Sequence, residues 1–181
     1  PAQSTINNHN AALNRVLDEA ELNGWIVKSL RPTLLNKGVK TQSRGSFTVE
    51  EYRVIYTALR TFHKQTTNEK SAATRETLRN YVLFLANTGV RHGTEALGLC
   101  WKNIEWYERD GERYLAVNVD GKTNKRTAIA RDSVENSLWR QAKLNPRIRA
   151  ADFDALIAAK LDESVFTTRL SETVTVHNLN R

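Results

Sequence analysis

Residues 104–130 read IEWYERDGERYLAVNVDGKTNKRTAIA. Asp110-Gly111 and Asp120-Gly121 lie ten residues apart, and Asp-Gly between strand-forming runs is the strongest short signal for a hairpin turn. Between them Tyr114, Leu115, Val117 and Val119 have strand character; Ile104 to Tyr107 precede the first turn and Thr127 to Ala130 follow the second. The stretch predicts a three-stranded antiparallel meander.

On both sides of it the apolar period changes from two to that of a helix. Downstream, Asp132 and Glu135 have capping-box spacing, Val134, Leu138 and Ala142 mark a buried face, and Pro146 ends the helix. Residues 151–161 form a further amphipathic helix through Phe153, Leu156, Ile157 and Leu161, and Val165-Phe166 is a short extended element. Upstream, Glu95 to Trp101 reads as a short helix capped by Thr94. Residues Thr74 to Thr88 read as a longer one, with Leu78, Tyr81, Val82 and Leu85 inward and Gly89 as its stop. Lys64 to Ala73 is polar and reads as a loop. A helix opens at Thr48, with Glu51 completing a capping box and Tyr52, Ile55, Tyr56, Leu59 and Phe62 at helical spacing. Residues 27–46 hold Pro32, Gly38 and Gly45 and show no period, as a linker would. Residues 4–23 are helical, with Ile6, Leu13, Leu17 and Ala20 on one face, Val16 beside them and Asn23-Gly24 as the stop. The expected fold is mainly α with a small three-stranded antiparallel sheet, an α+β class.

The chain has 181 residues with 27 Lys+Arg against 20 Asp+Glu, a formal charge of +7. The charge is local. Lys28, Arg31, Lys37, Lys40 and Arg44 occupy a segment without an acid, and so do Lys122, Lys125, Arg126 and Arg131; the remainder has 18 basic and 20 acidic residues. Two basic segments on a near-neutral body point to a polyanion, nucleic acid first. The longest apolar run, Tyr81 to Ala86, has six residues, against about 20 for a membrane-spanning helix, and PAQSTINNHN at the start lacks the apolar core of a signal peptide. Cys100 is the single cysteine, so an internal disulfide is impossible and a reducing, cytoplasmic setting is expected. A chain that starts at Pro1 and has no Met reads as a piece of a longer protein.

The sequence has no phosphate-binding glycine loop of the nucleotide-binding folds, no nucleophile elbow and no zinc-protease motif. His9, His63, His92 and His177 form no metal-ligand pair at i,i+4 spacing, so no metal or other cofactor is expected. One segment carries chemistry: Asn87-Thr-Gly-Val-Arg-His-Gly-Thr-Glu-Ala-Leu-Gly-Leu-Cys-Trp101. A helix ends at a glycine, Arg91 follows at once, and a short helix begins. A guanidinium there can hold a phosphate through two parallel hydrogen bonds. The plainer alternative is an ion pair between Arg91 and Glu95.

The segment resembles the first arginine box of the tyrosine recombinases, the phage-integrase family. Thr88-Gly89-Val90-Arg91, Glu95, Ala96-Leu97, Leu99, Trp101 and Ile104 carry the likeness. The family has three residues from arginine to acid and this chain has four, with His92, Gly93 and Thr94 between. Gly121-Lys122-Thr123-Asn124-Lys125-Arg126-Thr127 resembles the hairpin that carries the family's catalytic lysine. The opening at Phe47-Thr48 resembles the start of the catalytic domain, and helix 4–23 the last helix of the preceding core-binding domain.

The resemblance implies residues 1–27 as the end of a core-binding helical domain, 28–46 as a basic interdomain linker and 47–181 as a partial catalytic domain. It implies Arg91 and Lys122 as catalytic and Glu95 as structural support. Lys28, Arg31, Lys37, Lys40, Arg44, Lys125 and Arg126 are the expected DNA contacts. The parent enzyme would break and rejoin double-stranded DNA through a 3′-phosphotyrosine, as a tetramer of protomers on the DNA, in integration or excision of a prophage or mobile element. The family's later His-x-x-Arg box is absent: His177 and Arg181 are spaced His-x-x-x-Arg. Tyr52, Tyr56, Tyr81, Tyr107 and Tyr114 all precede the lysine hairpin, so the nucleophile is absent too. This piece alone is expected to be inactive. A non-catalytic DNA-binding relative of the family is the alternative.

Overall fold

The first helix, α1 (Gln3–Leu22), is stopped by a glycine. Gly24 takes the left-handed conformation at φ 71°, the Gly24 N–H bonds the Glu21 carbonyl and the Trp25 N–H reaches back to Ala20. This pair of bonds closes a helix end where only glycine fits without strain. A computed structural model describes residues 1–40, 45–121, 124–171, 174 and 179, and it divides into two units, Pro1–Phe47 and Thr48–Arg181.

In the first unit the chain past Gly24 does not run on as an unattached connector. It folds back along α1. The Arg31 guanidinium bonds Asp18 at 2.6 Å, Glu21 at 3.2 Å and the Asn14 side chain at 2.9 Å. Asn36 donates to the Gln3 carbonyl at 2.8 Å, and Ala2 and Val39 form a parallel bridge. Gly38 lies so close to the start of α1 that a Cβ there would meet the Gln3 nitrogen at 2.8 Å. Arg31, expected as a DNA contact, pins this return: four oxygens of three residues accept from it.

The second unit begins with α2 (Val49–Thr61), closed by the expected capping box: Glu51 N–H donates to Thr48 Oγ1 and Thr48 N–H to the Glu51 carboxylate. Then α3 (Glu69–Thr88) starts five residues before the predicted Thr74. Asn68 supplies the start signal by accepting the Ser71 N–H at 3.0 Å. The inward face also differs from expectation. Tyr81 is buried, but Leu78, Val82 and Leu85 are only half-buried; the centre of the face is Thr77, Asn80, Tyr81 and Phe84. Two polar residues can lie inside because they are satisfied there. Thr77 donates to the Thr167 carbonyl at 2.8 Å, Gln141 to the same carbonyl at 2.7 Å, and Asn80 to Gln141 at 3.2 Å.

After α4 (Thr94–Leu97) comes the sheet, β1 (Ile104–Arg109), β2 (Glu112–Asp120) and β3 (Lys125–Ile129), in the order β1-β2-β3 and antiparallel throughout. The first turn is the expected two-residue one: Asp110 and Gly111 have φ of 54° and 81° between the paired Arg109 and Glu112. The second is not. Asp120 pairs with Lys125, so four residues form the loop, and the Gly121 N–H bonds the Asn124 carbonyl. Lys122, the expected catalytic lysine, lies in that loop outside the described residues, as do Arg44, His177 and Arg181.

Next come α5 (Ser133–Ala142), packed on α3, and α6 (Phe153–Ala158), packed on β1. Val134, Leu138 and Ala142 are buried as their spacing predicts. The expected capping box at Asp132 does not form: Asp132 is itself helical (φ −52°, ψ −35°), not in the extended conformation from which a capping side chain reaches the N–H groups ahead. The helix predicted over 151–161 is shorter, opened by Asp152 accepting the Ala155 N–H. Likewise the short helix ends at Leu97, before Gly98, and does not reach Trp101; Thr94 does not cap it. Val165 and Phe166 are buried but lie in a bend and do not form the expected extended element; the Val165 N–H bonds the Leu99 carbonyl, and the neighbouring Ser164 makes a single antiparallel bridge with Cys100. The result is a mixed α+β chain, and no helix among the described residues is long and apolar enough to cross a membrane.

Phe84 is fully enclosed, with the Phe166 ring edge-on at 5.2 Å. Phe84→Ala is expected to lower stability by about 3–5 kcal/mol. Thr77→Val is expected to lower it by only about 1 kcal/mol, because Gln141 still bonds the Thr167 carbonyl. Urea unfolding of the two variants checks the ranking.

Candidate functional site

Arg91 stands where two helices meet. Gly89 ends α3 in the left-handed region at φ 65°, and its N–H closes the last turn on Leu85. Thr88 folds its hydroxyl back to the Phe84 carbonyl and accepts the Val90 N–H. Val90 is buried and anchors the chain. Gly93, at φ 94°, turns it again into α4. These two glycines leave Arg91 exposed and carry Glu95 inward, to 5% side-chain exposure.

The carboxylate at Glu95 organises the site. Its Oε2 accepts the Arg91 backbone N–H at 3.1 Å and Arg126 Nη2 at 2.9 Å, and its Oε1 accepts Arg91 Nη1 at 3.2 Å. Arg126 also donates to the Gly89 carbonyl at 3.1 Å, satisfying an orphan acceptor at the end of α3. The Arg91 backbone bond, followed by the Arg126 contact, holds the Glu95 carboxyl below its ordinary pKa against the opposing effect of burial. The loop after β2 is drawn to the same place: a Cβ on Gly121 would lie 3.1 Å from Glu95 Oε1 and 2.9 Å from the Asn124 carbonyl. Only glycine passes this close without moving its neighbours.

The structure separates the predicted residues into groups. Arg91 and Glu95 meet directly. Arg126, expected as a DNA contact, joins them through the Glu95 carboxylate while 39% of its side chain stays exposed. Its strand could have revealed this: Arg126 alternates with Lys125 and Thr127 and shares a face with buried Ala128, opposite Val119. Lys125 is exposed at the start of β3. Lys28, Lys37 and Lys40 are exposed in the first unit. Two further residues, Tyr81 and His92, belong to the junction although no motif marks them. The Tyr81 hydroxyl lies 2.9 Å from His92 Nδ1 and accepts the Gly93 N–H.

An open cleft of about 780 Å³ lies beside the junction, lined by Arg91, His92, Glu95, Lys102, Asn118 and Gly121 among others. Arg91 presents 71% of its side chain there, and only Nη1 is engaged with Glu95. The rest of the guanidinium can take two oxygens of an anion. Among the described residues, no cluster of three or more His, Cys, Asp or Glu side chains is arranged to hold a metal ion. The chain matches no protein-family model, no curated protein and no solved structure.

A carboxyl whose folded pKa is lowered stabilises the fold fully above its ordinary value, and that contribution is lost as the pH falls through the folded value. Glu95→Gln removes this dependence. Its melting temperature is expected to be lower than that of the parent at neutral pH and to fall less steeply from about pH 5 to about pH 2. Parallel acid limbs in thermal scans of the two proteins would contradict the assignment.

Proposed function

We propose that this chain is part of an enzyme that cleaves and rejoins DNA strands, of the tyrosine-recombinase kind, and that Arg91 binds the scissile phosphate. The observation that carries the reading is the Arg91 junction: an exposed guanidinium rooted on a buried carboxylate, beside the loop that contains Lys122. Phosphoryl transfer needs charge stabilisation on the non-bridging oxygens, and a guanidinium fixed before substrate arrives supplies it without reorganisation. Glu95 fixes the direction of Arg91, and Arg126 shares the negative charge so that Arg91 keeps its outer edge for the phosphate.

Lys122 is the general acid in this reading: it protonates the departing 5′-oxygen while a tyrosine attacks the phosphorus and forms the 3′-phosphotyrosine. The bond energy is kept in that intermediate, so rejoining needs no nucleotide or metal. The tyrosine and the second arginine come from further sequence, since every tyrosine here precedes Lys122. Double-stranded DNA and further protomers on it are the partners, and the cytoplasm is the setting. Lys28, Lys37 and Lys40 add phosphate contacts that position the duplex without reading its sequence.

Binding of the 181-residue chain to duplex DNA, measured against salt concentration, tests the reading. Affinity is expected to fall steeply with salt, and Arg91→Ala and Lys122→Ala are each expected to reduce the slope of log K against log salt by about 1. Salt-insensitive binding, or two variants indistinguishable from the parent, would refute it. Glu95→Gln should weaken binding as well, because Arg91 loses its anchor.

A further inference from the structure

The pair formed by Tyr81 and His92 has no part in the roles given so far, and its outer member, His92, lines the same cleft as Arg91. Tyr81 is 2% exposed, its ring edge-on to Phe166 at 4.9 Å and to His92 at 5.7 Å. Its hydroxyl has two partners among the described residues, the Gly93 N–H at 3.2 Å and His92 Nδ1 at 2.9 Å. The Gly93 N–H can only donate, so the hydroxyl accepts there. A buried hydroxyl must also place its own proton on an acceptor. Among the described residues the one acceptor in reach is His92 Nδ1. Burial pushes the Tyr81 phenol up, so the proton is present to be given. Tyr81 therefore donates to Nδ1, and a neutral His92 carries its proton on Nε2.

The ring is held at one edge by Tyr81, while the residue as a whole is exposed and lines the cleft next to Arg91. Gly93 contributes twice. Its φ of 94° turns the chain, and its N–H fixes the hydroxyl that fixes the imidazole.

We propose that His92 is a second phosphate contact beside Arg91, an uncharged Nε2–H donor to a non-bridging oxygen of the phosphodiester, with Tyr81 as the residue that sets its tautomer. The proposal rests on the reading of the cleft as a DNA phosphate site. The division of labour is physical. Arg91 brings charge, which attracts any phosphate from any side. His92 brings one directed hydrogen bond, which selects the rotation of the phosphate about its axis. A neutral donor displaces no counterion, so the two contacts leave different marks on salt dependence.

Two measurements on the whole 181-residue chain test this at about pH 8, above the ordinary imidazole range of about 6.5. Nitrogen-15 shifts of the histidine rings, assigned with His92→Ala, are expected to show His92 as the Nε2–H tautomer. In Tyr81→Phe it is expected to become a mixture. Duplex-DNA titrations over a salt series are then expected to show His92→Ala about tenfold weaker at every salt concentration with an unchanged slope. Arg91→Ala changes the slope. His92→Gln, which keeps a donor, is expected to recover part of the loss. Parent-like binding by His92→Ala alongside weakened Arg91→Ala overturns the His92 contact and leaves the DNA reading intact. A slope change in His92→Ala equal to that in Arg91→Ala overturns the uncharged donor. An Nδ1–H tautomer in the parent overturns the role of Tyr81. Salt-insensitive binding by the parent itself overturns the DNA reading and this inference with it.

Discussion

The carboxylate of Glu95 is the constraint around which the second unit is arranged. An anion with 5% of its side chain exposed is tolerated only where donors replace the water it lost. Three donors do so, and they come from three places: the backbone after α3, the Arg91 side chain, and Arg126 on β3. Meeting that one requirement brings the end of α3, the start of α4 and the third strand to a common point. It also dictates a residue without a side chain where the β2–β3 loop begins, since Gly121 passes directly over Oε1.

The two arginines that share Glu95 are not equivalent. Arg126 is held from two sides, by the carboxylate and by the Gly89 carbonyl, and serves the fold. Arg91 is tied at its root by its own N–H and at one guanidinium nitrogen, while most of the side chain is in solvent. A phosphate approaching the outer edge of Arg91 need not break the inner bonds. The geometry resembles an arm fixed at the shoulder and already extended, and the entropy of ordering it has been met by folding.

Some local chemistry was legible in the sequence, although the Asp132–Glu135 box and the Thr94 cap do not form, and through-space satisfaction was not. The Asp110-Gly111 turn and the Thr48–Glu51 box depend on residues within three positions of one another, and both form as expected. Asp120-Gly121 has the same letters as the first turn, but Gly121 is required there for its closeness to Glu95, a residue 26 positions away, and the loop is longer. Thr77 and Asn80 are polar, and nothing near them in the sequence places them on the buried face of α3. Their partners, Thr167 and Gln141, lie 90 and 61 residues further on. Arg31 and Arg126 counted equally toward a basic surface in the sequence. In the structure each is turned to acids that a count of local charge cannot assign to it. Arg91 and Glu95 were legible because the two glycines that set their positions lie within the same seven-residue stretch.

The first unit is built on a different principle. None of the 20 residues of α1 is buried, and Leu13, Val16 and Leu22 are at least half exposed. Most of a helix's stability in a protein comes from packing an apolar face, which α1 lacks within this unit. The return segment adds the Arg31, Asn36 and Val39 bonds, which are polar and lie near the surface. Order of this kind is lost by local opening, at a free energy well below that of unfolding a packed core. The two units are therefore expected to differ in timescale as well as in composition: backbone amides of α1 should exchange with water well before those of α3 around the buried Thr77, Tyr81 and Phe84.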